Sequence, residues 1–225
     1  MSKAKVTELY AMKGFPMFRP VGCCLIAFLL ISFHNSAQPA LKESFRKLSC
    51  PEKRWVIFHP FIARKSYRLT QAARAAAKEM LADSLLDKDE NGGQIDAFRH
   101  AYWMALLSQN ICWRKARRLG IAHEKGNYRQ FKKGVTEEGM LPDSVAGVMD
   151  LYNNQRGIEI GKNKIKVTVE ELRTQVRDSI LAGKMLVIKK NGTGDPLNCN
   201  GDKIDLQQYR QVWGIPKCLV PSSTK

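Results

Sequence analysis

Asp96, Arg99, His100 and Trp103 fall at i, i+3, i+4 and i+7, so a helix lines up a carboxylate, a guanidinium, an imidazole and an indole on one stripe. A large aromatic in such a stripe predicts partial burial rather than a solvated face. His123 and Glu124 follow about one helix later. A further segment carries Asp143, Gly147, Asp150 and Asn154 at i, i+4, i+7 and i+11, with Asn153 and Gly157 flanking them. The glycine there lets a backbone or ligand approach closely. Apart from His59, the only histidines after residue 37 are His100 and His123, and both stand beside carboxylates.

If the three segments turn these stripes inward, two imidazoles and two or three carboxylates share a pocket. That set suits a divalent metal such as zinc, manganese or iron, with His100, His123 and Asp150 as ligands. Water on the ion would be the nucleophile, and Glu124 or Asp96 the general base. The same residues also serve without a metal. His100 or His123 is then the base and Arg99 grips an anionic substrate in bidentate fashion. Trp103, Asn153 and Asn154 would complete the substrate contacts. A third reading is a buried network in which Asp96, Arg99 and His100 satisfy one another while Asp150 and Asn154 tie helix ends. Spacing does not separate the three.

One further pattern invites a metal. Asp87-x-Asp89-x-Asn91-Gly92 matches the opening half of an EF-hand calcium loop, but position twelve, a bidentate Glu in such loops, is Phe98. A polar loop is the expectation.

The elements that must position these residues are mostly helical. Trp55 to Ala63 is apolar and broken by Pro60, and an alanine-rich helix is expected over Leu69 to Leu86. A loop from Asp87 to Gly93 precedes a helix over Gln94 to Asn110 and another over Trp113 to Tyr128. Pro142-Asp143-Ser144 opens a helix ending near Gly157, and Glu170 to Leu181 gives one more, stopped by Gly183. Met185 to Lys189 reads as a short strand. From Asn191 onward Gly, Asn, Pro and Asp dominate, which predicts an irregular tail anchored by Tyr209, Val212 and Trp213. The expected fold is therefore mainly α: a compact helical domain with one short strand or hairpin and an irregular C-terminal extension.

The N-terminus reads as an address. Lys3, Lys5, Lys13 and Arg19 precede an apolar run from Val21 to Phe33, which exits into His34-Asn35-Ser36-Ala37. This is the layout of a secretion signal cleaved near Ala37. Its thirteen-residue core reaches only about 20 Å as a helix, short of a hydrocarbon layer of roughly 30 Å, so no stable span is expected after cleavage. The organisation is then a signal at 1–37, a helical domain at 38–190 and an extension at 191–225, in the periplasm or secreted. Four cysteines remain beyond the leader, Cys50, Cys112, Cys199 and Cys218, and Cys199 with Cys218 is the favoured disulfide in an oxidising compartment.

The whole chain carries a net charge of +16, and loss of the leader leaves +13. Such a surface attracts polyanions. Outside the cytoplasm, anionic lipid and wall polymers are favoured partners over nucleic acid.

The runs Asp96-Ala97-Phe98-Arg99-His100-Ala101-Tyr102-Trp103, Ala122-His123-Glu124 and Met149-Asp150-Leu151-Tyr152-Asn153-Asn154-Gln155-Arg156-Gly157 resemble an uncharacterised family of bacterial domains found in exported and toxin-like proteins. The resemblance spans about Gly92 to Lys189 and implies no particular activity. In order, His100, the pair His123-Glu124 and Asp150 also resemble the helical HD metal phosphohydrolases, with Glu124 where that family has Asp. That likeness implies metal-dependent phosphate chemistry. The resulting expectation is an exported hydrolase acting on a phosphate-containing or otherwise anionic substrate. Its rivals are an envelope binding or structural domain and a secreted toxin domain.

Overall fold

In a computed structural model, the described residues are 38–135, 141–163 and 165–224. The described residues from Ala40 onward form one compact unit. The expected signal and its cleavage point lie outside the described residues.

The described residues include seven α-helices, two short strands and a 3-10 turn, Leu206–Tyr209: α1 Gln38–Lys47, α2 Cys50–Phe58, α3 Pro60–Met80, α4 Gln94–Asn110, α5 Trp113–Lys132, α6 Ser144–Gly161, α7 Val169–Leu181, β1 Leu186–Ile188 and β2 Leu219–Pro221. No helix among them is long and apolar enough to cross a membrane. The fold is mainly α, as composition and periodicity predict.

Helix α4 is the centre. From Ile95 to Ser108 nearly every side chain is buried, with Ala97, Phe98, Ala101, Met104, Ala105 and Leu107 fully so. Its neighbours α3, α5, α6 and α7 surround it. Helix α6 lies closest. A Cβ added at Gly157 would stand 2.0 Å from the Ala101 carbonyl oxygen, and one at Gly161 would stand 2.2 Å from that of Ala105. Both pairs rise in the same direction, so α4 and α6 run parallel with small residues interleaved. Helix α5 runs opposite to both: Gly120 faces Met104 and Asn154, while Gly147 faces Glu124.

Several element boundaries differ from the sequence expectation for identifiable reasons. The alanine-rich helix begins at Pro60 rather than Leu69 and ends at Met80 rather than Leu86. Proline at the first helical position starts a helix instead of breaking one, and His59 closes α2 while opening α3. The stretch before Trp55 forms α1 and the start of α2. Helix α5 continues to Lys132 rather than ending at Tyr128. Helix α6 continues past Gly157 because that glycine serves packing, not termination.

The tail is mostly irregular, as expected, but it returns to the domain. Its β2 pairs antiparallel with β1 in the register Leu186–Pro221, Val187–Val220 and Ile188–Leu219. Cys199 and Cys218 are disulfide-bonded, and Cys50 and Cys112 are free and exposed. Of the expected anchors, Trp213 packs on Tyr128 and Phe131 with ring centroids 5.0 Å from each. Val212 is exposed; Ile204 and Ser222 are buried in its stead. Ser222 Oγ donates to the Ile180 carbonyl at 2.7 Å and ties the tail to α7.

Candidate functional site

The site begins at the N-terminus of α4. Gly92, with φ +90°, turns the chain so that its N–H donates to Asp96 Oδ2 at 2.7 Å. That contact holds the carboxylate in the first helical turn. Arg99 then donates from Nη2 to Asp96 Oδ1 at 2.6 Å and lies 3.3 Å from His100 Nε2. A guanidinium only donates, so Nε2 is the acceptor and the imidazole proton sits on Nδ1.

His100 is buried, and desolvation pushes its pKa well below the usual 6.5; the Arg99 and His123 charges push the same way. The ring is therefore neutral at pH 7, with a lone pair to offer. Asn154 opposes the shift. Its amide is near enough to favour the charged ring, although it lacks the geometry of a full hydrogen bond to Nδ1.

Because Gly157 and Gly161 let α6 approach so closely, Asp150 Oδ1 comes to 3.5 Å from His100 Nε2. Asp96 Oδ1 is 3.5 Å from the same nitrogen. All three residues are buried, and each offers one ligand atom within 4.8 Å of the others.

Helix α5 supplies the second imidazole, its centroid 6.2 Å from that of His100. The His123 Nδ1 lies 3.0 Å from Glu52 Oε1 on α2. The other oxygen of Glu52 accepts from the Ser49 N–H at 2.8 Å, completing the capping box that starts α2. Burial works against the Glu52 anion, but His123 and the Ser49 contacts outweigh it, and the pKa falls below the ordinary carboxylate value. Gly126 makes this possible. A Cβ there would meet Ser49 Oγ at 2.5 Å, so only glycine admits the start of α2.

Asp96, Arg99, His100, His123, Glu124 and Asp150 all line one cavity of about 80 Å³. That is space for a few waters or a small anion. Glu124 Oε2 accepts from Asn127 at 3.2 Å on the facing wall. Asn91, Gly92, Asp143, Ala146 and Gly147 also line the cavity, so the N-terminal ends of α4 and α6 open onto it together. Asp143 caps α6 by accepting from Val145 and Ala146, and its Oδ2 pairs with Lys217 Nζ at 2.5 Å.

Three residues expected as substrate contacts stand elsewhere. Trp103 lies behind both imidazoles, ring centroids 5.6 Å from His123 and 6.5 Å from His100, and its Nε1 donates to Thr70 Oγ1 at 2.9 Å. Asn153 is wholly buried and grips the Leu186 backbone with two 2.9 Å bonds, fixing β1 to α6. Asn154 sits behind His100, near Gly120. In the calcium-like loop, Lys190 Nζ pairs with Asp89 and donates to the Asn91 carbonyl at 2.6 Å.

Glu52 and Lys217 are the site residues that the sequence reading passed over. Ser49-x-x-Glu52 is a legible capping box, and it was the available signal for Glu52. Nothing local marks Lys217, because the tail brings it there from afar.

Residues 53–184, more than half of the chain, match the model of a domain of unknown function. The chain belongs to the DUF6973 family. No curated protein and no solved structure matches it significantly. The DUF6973 match contains Asp96, Arg99, His100, His123, Glu124 and Asp150, whereas Glu52, Ile188 and Lys217 contribute to the site from beyond its ends. A DUF6973 domain thus supplies the centre of this cavity, and flanking segments complete its walls.

Proposed function

We propose that the cavity binds a divalent cation through Asp96, His100 and Asp150, and that the protein hydrolyses a phosphate-containing or similarly anionic substrate in the periplasm or outside the cell. The carrying observation is the spacing of the three ligand atoms, with both 3.5 Å separations measured from His100 Nε2. Tetrahedral ligands with bonds of about 2.0–2.1 Å stand roughly 3.4 Å apart. Formal charge supports the same reading. Asp96, Glu124, Asp143 and Asp150 face Arg99 and Lys217 around the cavity, an excess of two negative charges. Zinc, manganese and iron are the candidates for this donor set.

A cation in that place supplies Lewis acidity and lowers the pKa of water. The chain's own residues supply the rest. Asp96 and Asp150 hold charge, and neutral His100 offers nitrogen. Glu124, across the cavity, takes the proton of the attacking water. His123, backed by Glu52, returns one to the leaving group, which is a different role from the ligand role that spacing suggests for it. Arg99, Lys217 and the two helix N-termini favour an anion at the mouth. The Cys199–Cys218 disulfide supports an oxidising compartment.

A second reading has its own observation. Arg99, 2.6 Å from Asp96 and 3.3 Å from His100, already stands where a cation would balance Asp96. Metal binding requires that guanidinium to swing aside, and a metal-free acid–base site does not.

Elemental analysis separates the two. Protein purified without added metal, then dialysed against zinc or manganese, should hold one ion per chain. Asp150→Ala should lose it, together with hydrolysis of a chromogenic phosphodiester. A wild type that takes up neither ion overturns the metal reading, and hydrolysis that persists in its absence favours the metal-free one. An ion bound without any hydrolysis points to a binding protein.

A further inference from the structure

Helices α2 and α3 meet at a corner built against the usual rule of burial. Ile57 is 65% exposed, Phe58 71% and Phe61 99%, all within five residues around Pro60. Helix α2 buries Trp55, and α3 buries Ser66, Ala73, Ala77 and Met80. Phe61 points about 140° around the helix from Ser66, at roughly 100° per residue, so no core contact is open to it. Clustered large apolar side chains on a surface mark an interaction site.

Charge identifies the partner. Between Glu52 and Glu79 the chain carries seven basic residues and no acidic one. Their placement is regular. Arg54 precedes Phe58 by four positions, and Arg64 and Lys65 follow Phe61 by three and four, all exposed; Lys65 Nζ spends one of its three donors on the Asn110 carbonyl at 2.9 Å. Each ring therefore has a cation about one helical turn behind it on the same face. Rings at the tip and cations set back match the two layers of an anionic bilayer surface, where rings enter the acyl boundary and cations meet phosphates.

We infer that this corner docks the protein on an anionic lipid bilayer, with Phe58 and Phe61 inserted and Arg54, Arg64 and Lys65 against the head groups. A hydrophilic polymer can meet the ring faces but has no apolar interior for the rings to enter. A second copy of the chain would set like charges against each other. The inference does not depend on the metal reading of the cavity.

The test uses the full chain and vesicles of phosphatidylcholine with or without phosphatidylglycerol. The apolar run Val21–Phe33 can itself partition, so the signal is read at the corner. In Phe61→Trp, vesicles containing phosphatidylglycerol should shift the added tryptophan emission to the blue, and brominated acyl chains should quench it. Phosphatidylcholine alone should do neither. In the same Phe61→Trp protein, adding Phe58→Ser should weaken the vesicle affinity read from that emission roughly tenfold, and adding Arg54→Gln/Arg64→Gln/Lys65→Gln on the order of a hundredfold, with unchanged circular dichroism. Emission at position 61 indifferent to anionic vesicles overturns the inference. So does self-association in sedimentation that the serine variant abolishes while vesicles leave position 61 unaffected.

Discussion

Desolvation is the largest force on His100, and it sets a pH dependence for the whole protein. The folded pKa lies well below the usual value while that of the unfolded chain stays near 6.5. Above about 6.5 both states are neutral and the group has no effect on stability. As pH falls from there toward the folded value, the unfolded chain takes up a proton that the folded one refuses, and stability drops by up to about 1.4 kcal/mol per pH unit. Urea unfolding of the metal-free protein at pH 7 and pH 5 should show that loss, and His100→Gln should flatten it. Equal slopes for the two proteins would contradict the account. Glu52 gives a second test at this scale. Glu52→Gln removes a charged hydrogen bond to His123 and should lower stability by roughly 1–3 kcal/mol at pH 7. Its folded pKa is depressed, so the difference from wild type should fade as pH falls below the ordinary carboxylate value of about 4.3. The calcium-like loop makes a third. With Lys190 already paired to Asp89, millimolar calcium should leave the thermal midpoint unchanged, whereas Lys190→Ala should make the midpoint respond to calcium.

Between elements, the decisive contact is the one that lets α6 lie on α4. Gly157→Ala would set a methyl 2.0 Å from a carbonyl oxygen, so the helices must separate, at about 1–3 kcal/mol or more. The same movement withdraws Asp150 from His100, so metal uptake should fall together with stability. Gly147→Ala is the matched control. Its Cβ would meet Glu124 Oε2 at an ordinary 3.5 Å, and denaturation midpoints should barely move. Much of this level was legible in the sequence. The i, i+3, i+4 pattern places Asp96, Arg99 and His100 on one face of α4, and Asp143 with Ser144 marks the start of α6. What spacing could not give is which helix touches which. Gly157 reads locally as a stop and structurally as a close contact, and only the facing Ala101 distinguishes the two. Pro60 is ambiguous in the same way, since a proline both ends one helix and begins the next.

For the molecule as a whole, the tail matters more to the cavity than its irregular composition suggests. The Cys199–Cys218 bond closes a loop of nineteen residues and holds Lys217, one position away, against Asp143. Cys199→Ser/Cys218→Ser should lower stability by about 3 kcal/mol, measured by denaturant unfolding without reductant. If Lys217 contributes to the mouth, the same variant should also weaken inhibition by inorganic phosphate. Lys217 is the part of the candidate site least visible in sequence, because it lies 74 residues from its partner with no periodic pattern to link them. Glu52 is hidden for the same reason, 71 residues before His123.

Helices that lie side by side in the same sense cannot be joined by a tight turn; the chain must travel back before the second can begin. Helix α5 is that return journey, and it carries His123 and Glu124 past the other two on the way. The cavity is thus the product of three passes and belongs to no excised hairpin. A polypeptide split between α5 and α6 would leave both imidazoles in one half and Asp150 in the other. Ion uptake regained only on mixing the halves would be the signature of that threading.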